Sequence, residues 1–136
     1  MKRRAKRRII APPLPRVGPI PALPSEHRKV RISFERIRAG GAYCLSECQR
    51  DQVKEAIDAM RQLTSLAWTG ISAHGGLRLK WLPESGLVGV TRPEWLSEEV
   101  RIAEVRASDR FRILGYRDND DFVILWFDPD HEATGA

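Results

Sequence analysis

The sequence predicts an α+β domain: an N-terminal strand and two antiparallel helices packed on a small antiparallel sheet, preceded by a disordered basic, Pro-rich arm. Three observations predict it. "VRISFERI" (30–37) alternates apolar and polar residues, the period of a half-buried strand. "SECQRDQVKEAIDAMRQL" (46–63) carries its apolar residues at helical spacing. The last third holds three strand-like runs joined by short polar turns.

Taken in order, residues 1–29 form the arm and 30–132 the single domain. Residues 1–27 hold six of the nine prolines, and six of the first eight residues are basic. Proline removes backbone donors and favours extended chain, so no packed core is expected there. After the first strand, Gly40 and Gly41 break the pattern. Ser46 is a plausible N-cap with Gln49 three residues on, and Val53, Ile57, Met60 and Leu63 then form one apolar stripe. "TSLAWTGISAHGG" (64–76) reads as a second, shorter helix, with Trp68 and Ile71 facing inward and Gly75-Gly76 ending it. His74 in its last turn suits a capping role. "LRLKWL" (77–82) alternates as a strand does, and 91–100 supplies a turn. The runs 101–107, 111–117 and 122–127 follow, the last two joined as a hairpin through "DNDD", where Asn119 tolerates positive φ. Every residue of 122–127 is apolar, which marks a central strand covered on both sides.

Composition narrows the function classes. The chain has 136 residues and a net charge of +5. Residues 1–29 carry nine bases against Glu26, or +8, so residues 30–136 carry −3. The basicity belongs to the arm, where Arg3, Arg4, Lys6, Arg7 and Arg8 suit contact with the backbone of RNA or DNA. No apolar run reaches the roughly 18–20 residues needed to span a bilayer, and no apolar stretch follows the basic start as in a secretory signal. A cytoplasmic protein without a membrane partner is the expectation. Cys44 and Cys48 lack two further ligands at metal-binding spacing and read as half-buried thiols. No metal or other cofactor is expected. The tryptophans, Trp68, Trp81, Trp95 and Trp126, read as core.

The order of elements, the size and above all "VRASDRFRILGYRDNDDFVILWFDPDHEA" (105–133) resemble the RelE/ParE superfamily of bacterial type II toxins. In that family a strand leads into two antiparallel helices and three further strands, and an Arg-rich strand, here "FRILGYR", precedes one ending near a His, Tyr or Arg, here "WFDPDHE". The resemblance implies a toxin silenced by a cognate antitoxin. In its RelE-like form the toxin is an endoribonuclease that cuts messenger RNA on the ribosome; in its ParE-like form it inhibits gyrase without catalysis. Glu132-Ala133 stands where the family has a C-terminal Tyr.

RNA cleavage of this kind uses the RNA's own 2′-OH as nucleophile, so the protein must take its proton and stabilise charge on the phosphate. Histidine suits the first task, and the planar guanidinium fork suits the second. The resemblance therefore makes His131 the candidate base, with Asp128 or Asp130 orienting it. Arg112 and Arg117 are candidate phosphate ligands, and Tyr116 a donor or stacking group. Arg78, Lys80 and Arg106 would add charge along the RNA. Plainer readings stand beside these. Asp128-Pro129-Asp130 makes a natural strand-ending turn, Arg112 can pair with a carboxylate such as Glu104, and Arg78 and Lys80 suit a solvated face. The alternative function is a non-catalytic binding protein on the same fold, either a gyrase inhibitor or a nucleic-acid-binding regulator.

Overall fold

The computed structural model describes residues 27–38 and 40–134. The expected arm, with Arg3, Arg4, Lys6, Arg7 and Arg8, lies almost wholly outside the described residues. The described chain starts three residues before the expected domain boundary. Arg28 Nε approaches Asp120 Oδ2 at 2.8 Å, and Lys29 forms a bridge with Ala67.

Among the described residues, five strands form one mixed sheet: β1 (Arg31–Ser33), β2 (Lys80–Trp81), β3 (Ile102–Arg106), β4 (Arg112–Asp118) and β5 (Asp121–Asp128). Their order across the sheet is β1-β5-β4-β3-β2. The fold is α+β, but the sheet is larger than expected and not purely antiparallel. β1 runs parallel to β5, with Ile32 opposite Phe122, while the other pairs are antiparallel. The geometry follows from the long connection between β1 and the C-terminal hairpin, which allows a parallel return that no two-residue turn permits.

The helical layer is thinner than expected. α1 (Arg50–Thr64) is the one helix of more than a turn among the described residues; α2 (Trp68–Ile71) is a single turn. Gly70 sits inside α2, and Gly75 and Gly76 follow soon after, each unfavourable to continuing a helix. The expected pair of antiparallel helices is thus one helix and one turn. Ser46 does not cap α1. A 3-10 turn at Leu45–Glu47 intervenes, and Gln49 caps the helix in a reciprocal box with Gln52, whose Oε1 accepts from Gln49 N–H at 2.8 Å. The buried stripe is Ala56, Ala59, Met60 and Leu63. Ile57, expected to be core, is half exposed. The two alanines let the helix approach the sheet closely, which rotates Ile57 to its flank.

The sheet is covered on both faces, which explains the unbroken apolar run of β5. One face (Val105, Ile113, Phe122, Ile124 and Phe127) packs under α1, Trp68 and Ile71. The other (Ile102, Leu114, Tyr116, Val123 and Leu125) packs under the irregular segment 82–100 through Leu82, Leu87, Val90 and Leu96. Trp68 is buried as expected, whereas Trp81 and Trp95 are exposed. The short edge strand β2 leaves Trp81 uncovered, and Trp95 sits outside Tyr116, its ring 6.1 Å away. A bulge between Leu114 and Gly115 places Leu125 and Trp126 together opposite Leu114.

Candidate functional site

The β4–β5 register puts Arg112 opposite Asp128, and the β3–β4 register puts Arg106 opposite Arg112. This end of the sheet, with the turn that follows β5, is where the candidates gather. The residue that joins them is Glu104, on the same face of β3. Its Oε1 lies 3.5 Å from Arg112 Nε, and its Oε2 lies 3.5 Å from His131 Nε2. The three side chains are between 11 and 20% exposed. One half-dry carboxylate therefore holds a guanidinium and an imidazole side by side.

Arg112 is anchored on one side and open on the other. Its Nη1 donates to the carbonyls of Ser108 (2.7 Å) and Phe111 (3.1 Å). Among the described residues, Nη2 has no hydrogen-bond partner. Burial pulls the guanidinium below its ordinary pKa, opposed by Glu104. It nevertheless keeps its charge at physiological pH, since arginine starts so far above it.

His131 adopts the left-handed region, with φ +57°. Such a backbone costs a non-glycine residue roughly 1 kcal/mol or more. Asp128 imposes it. Its carboxylate accepts from Glu132 N–H (3.0 Å, Oδ1) and Ala133 N–H (2.8 Å, Oδ2), which folds the chain back on itself just after β5. Ala133 is then buried, and its carbonyl accepts from Val88 and Gly89. The "DPDH" stretch thus has two jobs. Asp128 is a buried turn-former, not a ligand of the imidazole, and the turn it makes sets His131 over Glu104. Asp128→Ala is expected to strand one buried and one half-buried N–H and to cost about 2–3 kcal/mol. A lower urea midpoint at unchanged slope is the check.

The other candidates separate from this cluster. Asp130 is exposed and faces Arg110 Nη2 at 3.6 Å. Arg117 stands five residues along β4 from Arg112, roughly 17 Å at strand rise. It stacks over the Trp68 ring at 4.4 Å and donates to Asn119 O. Tyr116 shares the face of Arg112 but lies four residues on, roughly 13 Å away, packed into the second core. Arg106 pairs with Asp109 at 2.7 Å and donates to Ser108 O. Arg78 and Lys80 are exposed, with Arg78 Nε donating to Gly75 O. Lys80 lies opposite Glu104 across β2 and β3.

Tyr43 borders the site, its carbonyl accepting from Phe127 N–H. Burial, then the charges of Asp128 and Glu132, raise its phenol above the ordinary 10.0. The unfolded chain would lose that proton first, so stability is full below pH 10 and falls as the pH rises above it. Tyr43→Phe is expected to flatten this alkaline loss in urea titrations. Next to Tyr43, the Ser46 hydroxyl approaches Cys44 Sγ at 3.2 Å and lowers its pKa, whereas burial raises that of Cys48.

Sequence reasoning placed Arg112 and His131 among the candidates but cast Glu104 only as a neutralising partner. Its signal was available in the register: Glu104 is the acid on the inward face of a strand whose other residues on that face are Ile102 and Arg106. Among the described residues no group of three His, Cys, Asp or Glu side chains is suited to hold a metal. No helix among them is long and apolar enough to cross a membrane. A cavity of about 720 Å³ lies elsewhere on the second face, lined by Leu82, Leu87, Arg92 and Val100 and by none of the candidate residues. Comparison with known proteins finds no family model, no curated protein and no solved structure that matches this chain.

Proposed function

We propose that the chain is a RelE-like toxin, an endoribonuclease that cuts messenger RNA on the ribosome by attack of the RNA's own 2′-OH, and that a cognate antitoxin holds it silent in the cytoplasm. The observation that carries this reading is the convergence of Arg112 and His131 on Glu104. His131 would take the 2′-OH proton through Nδ1, with Nε2 turned to Glu104. The carboxylate would then offset the charge of the imidazolium as it forms. Catalytic contacts are commonly longer before substrate arrives, as the 3.5 Å pair is here. Arg112 would direct its unpartnered Nη2 at a non-bridging phosphate oxygen. A preorganised donor of this kind is worth on the order of 3 kcal/mol in the transition state.

The competing reading is a non-catalytic binding protein, a gyrase inhibitor or a nucleic-acid-binding regulator. One observation favours it: Arg112 is largely buried and already holds two carbonyls and a carboxylate.

His131→Asn separates the two, because asparagine tolerates positive φ and keeps the turn. Wild type induced in bacteria is expected to arrest growth and to leave new 5′ ends within translated messages. His131→Asn is expected to lose both at equal protein level, with unchanged thermal stability. Arrest that persists in the variant, without new ends, would establish the binding reading instead.

A further inference from the structure

The cavity of about 720 Å³ on the second face lies between two segments that the His131 cluster does not use. One wall is 82–87, which follows β2 and contains a 3-10 turn at Glu84–Gly86. The other is 92–102, which leads into β3. Leu82, Leu87 and Val100 give the cavity an aliphatic surface, and among the described residues no aromatic ring lines it. Both walls are fixed. Leu82 N–H donates to Ile102 O at 2.8 Å, and Gly86 N–H donates to Pro83 O at 2.8 Å. Arg92 ties down the second wall, its Nη2 donating to the carbonyls of Ser97 and Val100. The volume falls within the roughly 300–1,000 Å³ of preformed small-ligand sites.

The charges around this space are not spent on one another. Glu84 stands on the first wall, and Arg92, Glu98, Glu99 and Arg101 stand on the second. Among the described residues no ion pair within 4.0 Å joins any of the five to a partner. Arg92 carries the sharper signal. Its Nε is buried and, among the described residues, has no hydrogen-bond acceptor. Nη2 is the only nitrogen of this guanidinium that donates within the described chain. A buried donor without an acceptor is costly, and such groups are rare in folded proteins. The cavity thus presents an aliphatic surface, a guanidinium short of acceptors and unpaired carboxylates.

We propose that this cavity binds a short aliphatic peptide of two or three residues with both ends free. Its carboxylate would meet Arg92 and Arg101 on the second wall, and its ammonium would meet Glu84 on the first. Its side chains would cover Leu82, Leu87 and Val100. Each alternative leaves part of the site unused. A polyanion such as nucleic acid is turned away by Glu98 and Glu99, which stand beside the two guanidiniums on the same wall. A polyamine would satisfy the carboxylates but would leave Arg92 short of an acceptor. A fatty carboxylate has no cation for Glu84. A single amino acid carries both charges but is small for a space equal to roughly 24 waters at about 30 Å³ each. The site does not depend on the reading of His131, which does not line the cavity.

The probe is the tripeptide valyl-alanyl-leucine, unblocked at both ends and titrated into the full chain while amide chemical shifts are followed. Saturable shifts at Leu82, Leu87 and Val100 are expected, with a Kd of about 1 mM or tighter. The N-acetylated and the C-amidated peptides are each expected to bind at least about tenfold more weakly, and so is leucine alone. Two exposed residues test the charged ends without disturbing Arg92, which holds the wall. Glu84→Gln is expected to weaken the unblocked peptide at least about fivefold while leaving the weaker N-acetylated peptide unchanged. Arg101→Gln is expected to do the same with the C-amidated peptide as its insensitive partner. A misfolded variant would lose both peptides alike, so this pattern reports on the contact itself. His131→Asn is expected to bind the tripeptide as wild type does. The proposal is overturned by no shifts at these amides up to about 10 mM peptide, or by equal binding of the blocked and unblocked forms. It is also overturned if leucine binds as tightly as the tripeptide, or if spermidine displaces it at equal concentration; these results would assign the cavity to a single amino acid or to a polycation.

Discussion

Gly115→Ala is expected to be the most damaging single methyl group that can be added to this domain. A Cβ at that position would stand 2.2 Å from the carbonyl oxygen of Val123 and 3.0 Å from the Phe122 ring. Neither neighbour can retreat, because Val123 belongs to β5, an interior strand held between β1 and β4, and Phe122 is fully buried. The bulge beside Gly115 presses the two backbones together, and only a residue without a side chain fits. A cost of about 3 kcal/mol or more is expected, from overpacking with no route of relief. Gly75→Ala, whose Cβ would meet nothing within 4 Å, is the matched control and is expected to change the urea midpoint little.

Arg112→Met is expected to have the second largest effect, and to act through Glu104. Methionine fills the volume of the arginine stem but leaves a nearly buried carboxylate without its cation. Breaking such a pair from one side costs about 3 kcal/mol. Adding Glu104→Gln removes the stranded charge and is expected to recover most of the loss. Any ribonuclease activity should be absent from both variants. Recovery of stability without recovery of cleavage would separate what Arg112 does for the fold from what it does for the chemistry. Loss of stability that Glu104→Gln fails to restore would place the cost in the bonds to Ser108 and Phe111 instead.

These two residues also show what was legible in advance. The strands of the last third, the hairpin through Asn119 and the two-sided cover of β5 follow from local signals: alternation, turn chemistry and an unbroken apolar run. Asn119 does adopt positive φ, at 54°. The parallel pairing of β1 with β5 left no such signal, because pairing across the whole chain is decided by tertiary packing rather than by either strand. Nor could alternation reveal the bulge, which places two consecutive side chains on one face. The exposure of Ile57 was hidden by Ala56 and Ala59, whose small side chains mark close helix–sheet approach but count for little in a hydrophobic pattern. At the site, residue type and strand alternation singled out Arg112. The assignment of Asp128 to a turn and of Glu104 to the imidazole needed register. A carboxylate three residues from a histidine and one 27 residues away look equally available until the strands are paired.

The cluster of Glu104, Arg112 and His131 stands or falls as an RNA-cleaving site on one measurement. A message carrying a single 2′-deoxy nucleotide at a cleavage position is translated in a bacterial extract with the purified chain, and the ends of the products are identified. Cleavage of the all-ribose message, leaving a 2′,3′-cyclic phosphate and a 5′-hydroxyl, with no cut at the deoxy position and none by His131→Asn, is the expected result. Cleavage at the deoxy position, or cleavage undiminished in His131→Asn, would contradict the assignment of His131 as the base for 2′-OH attack.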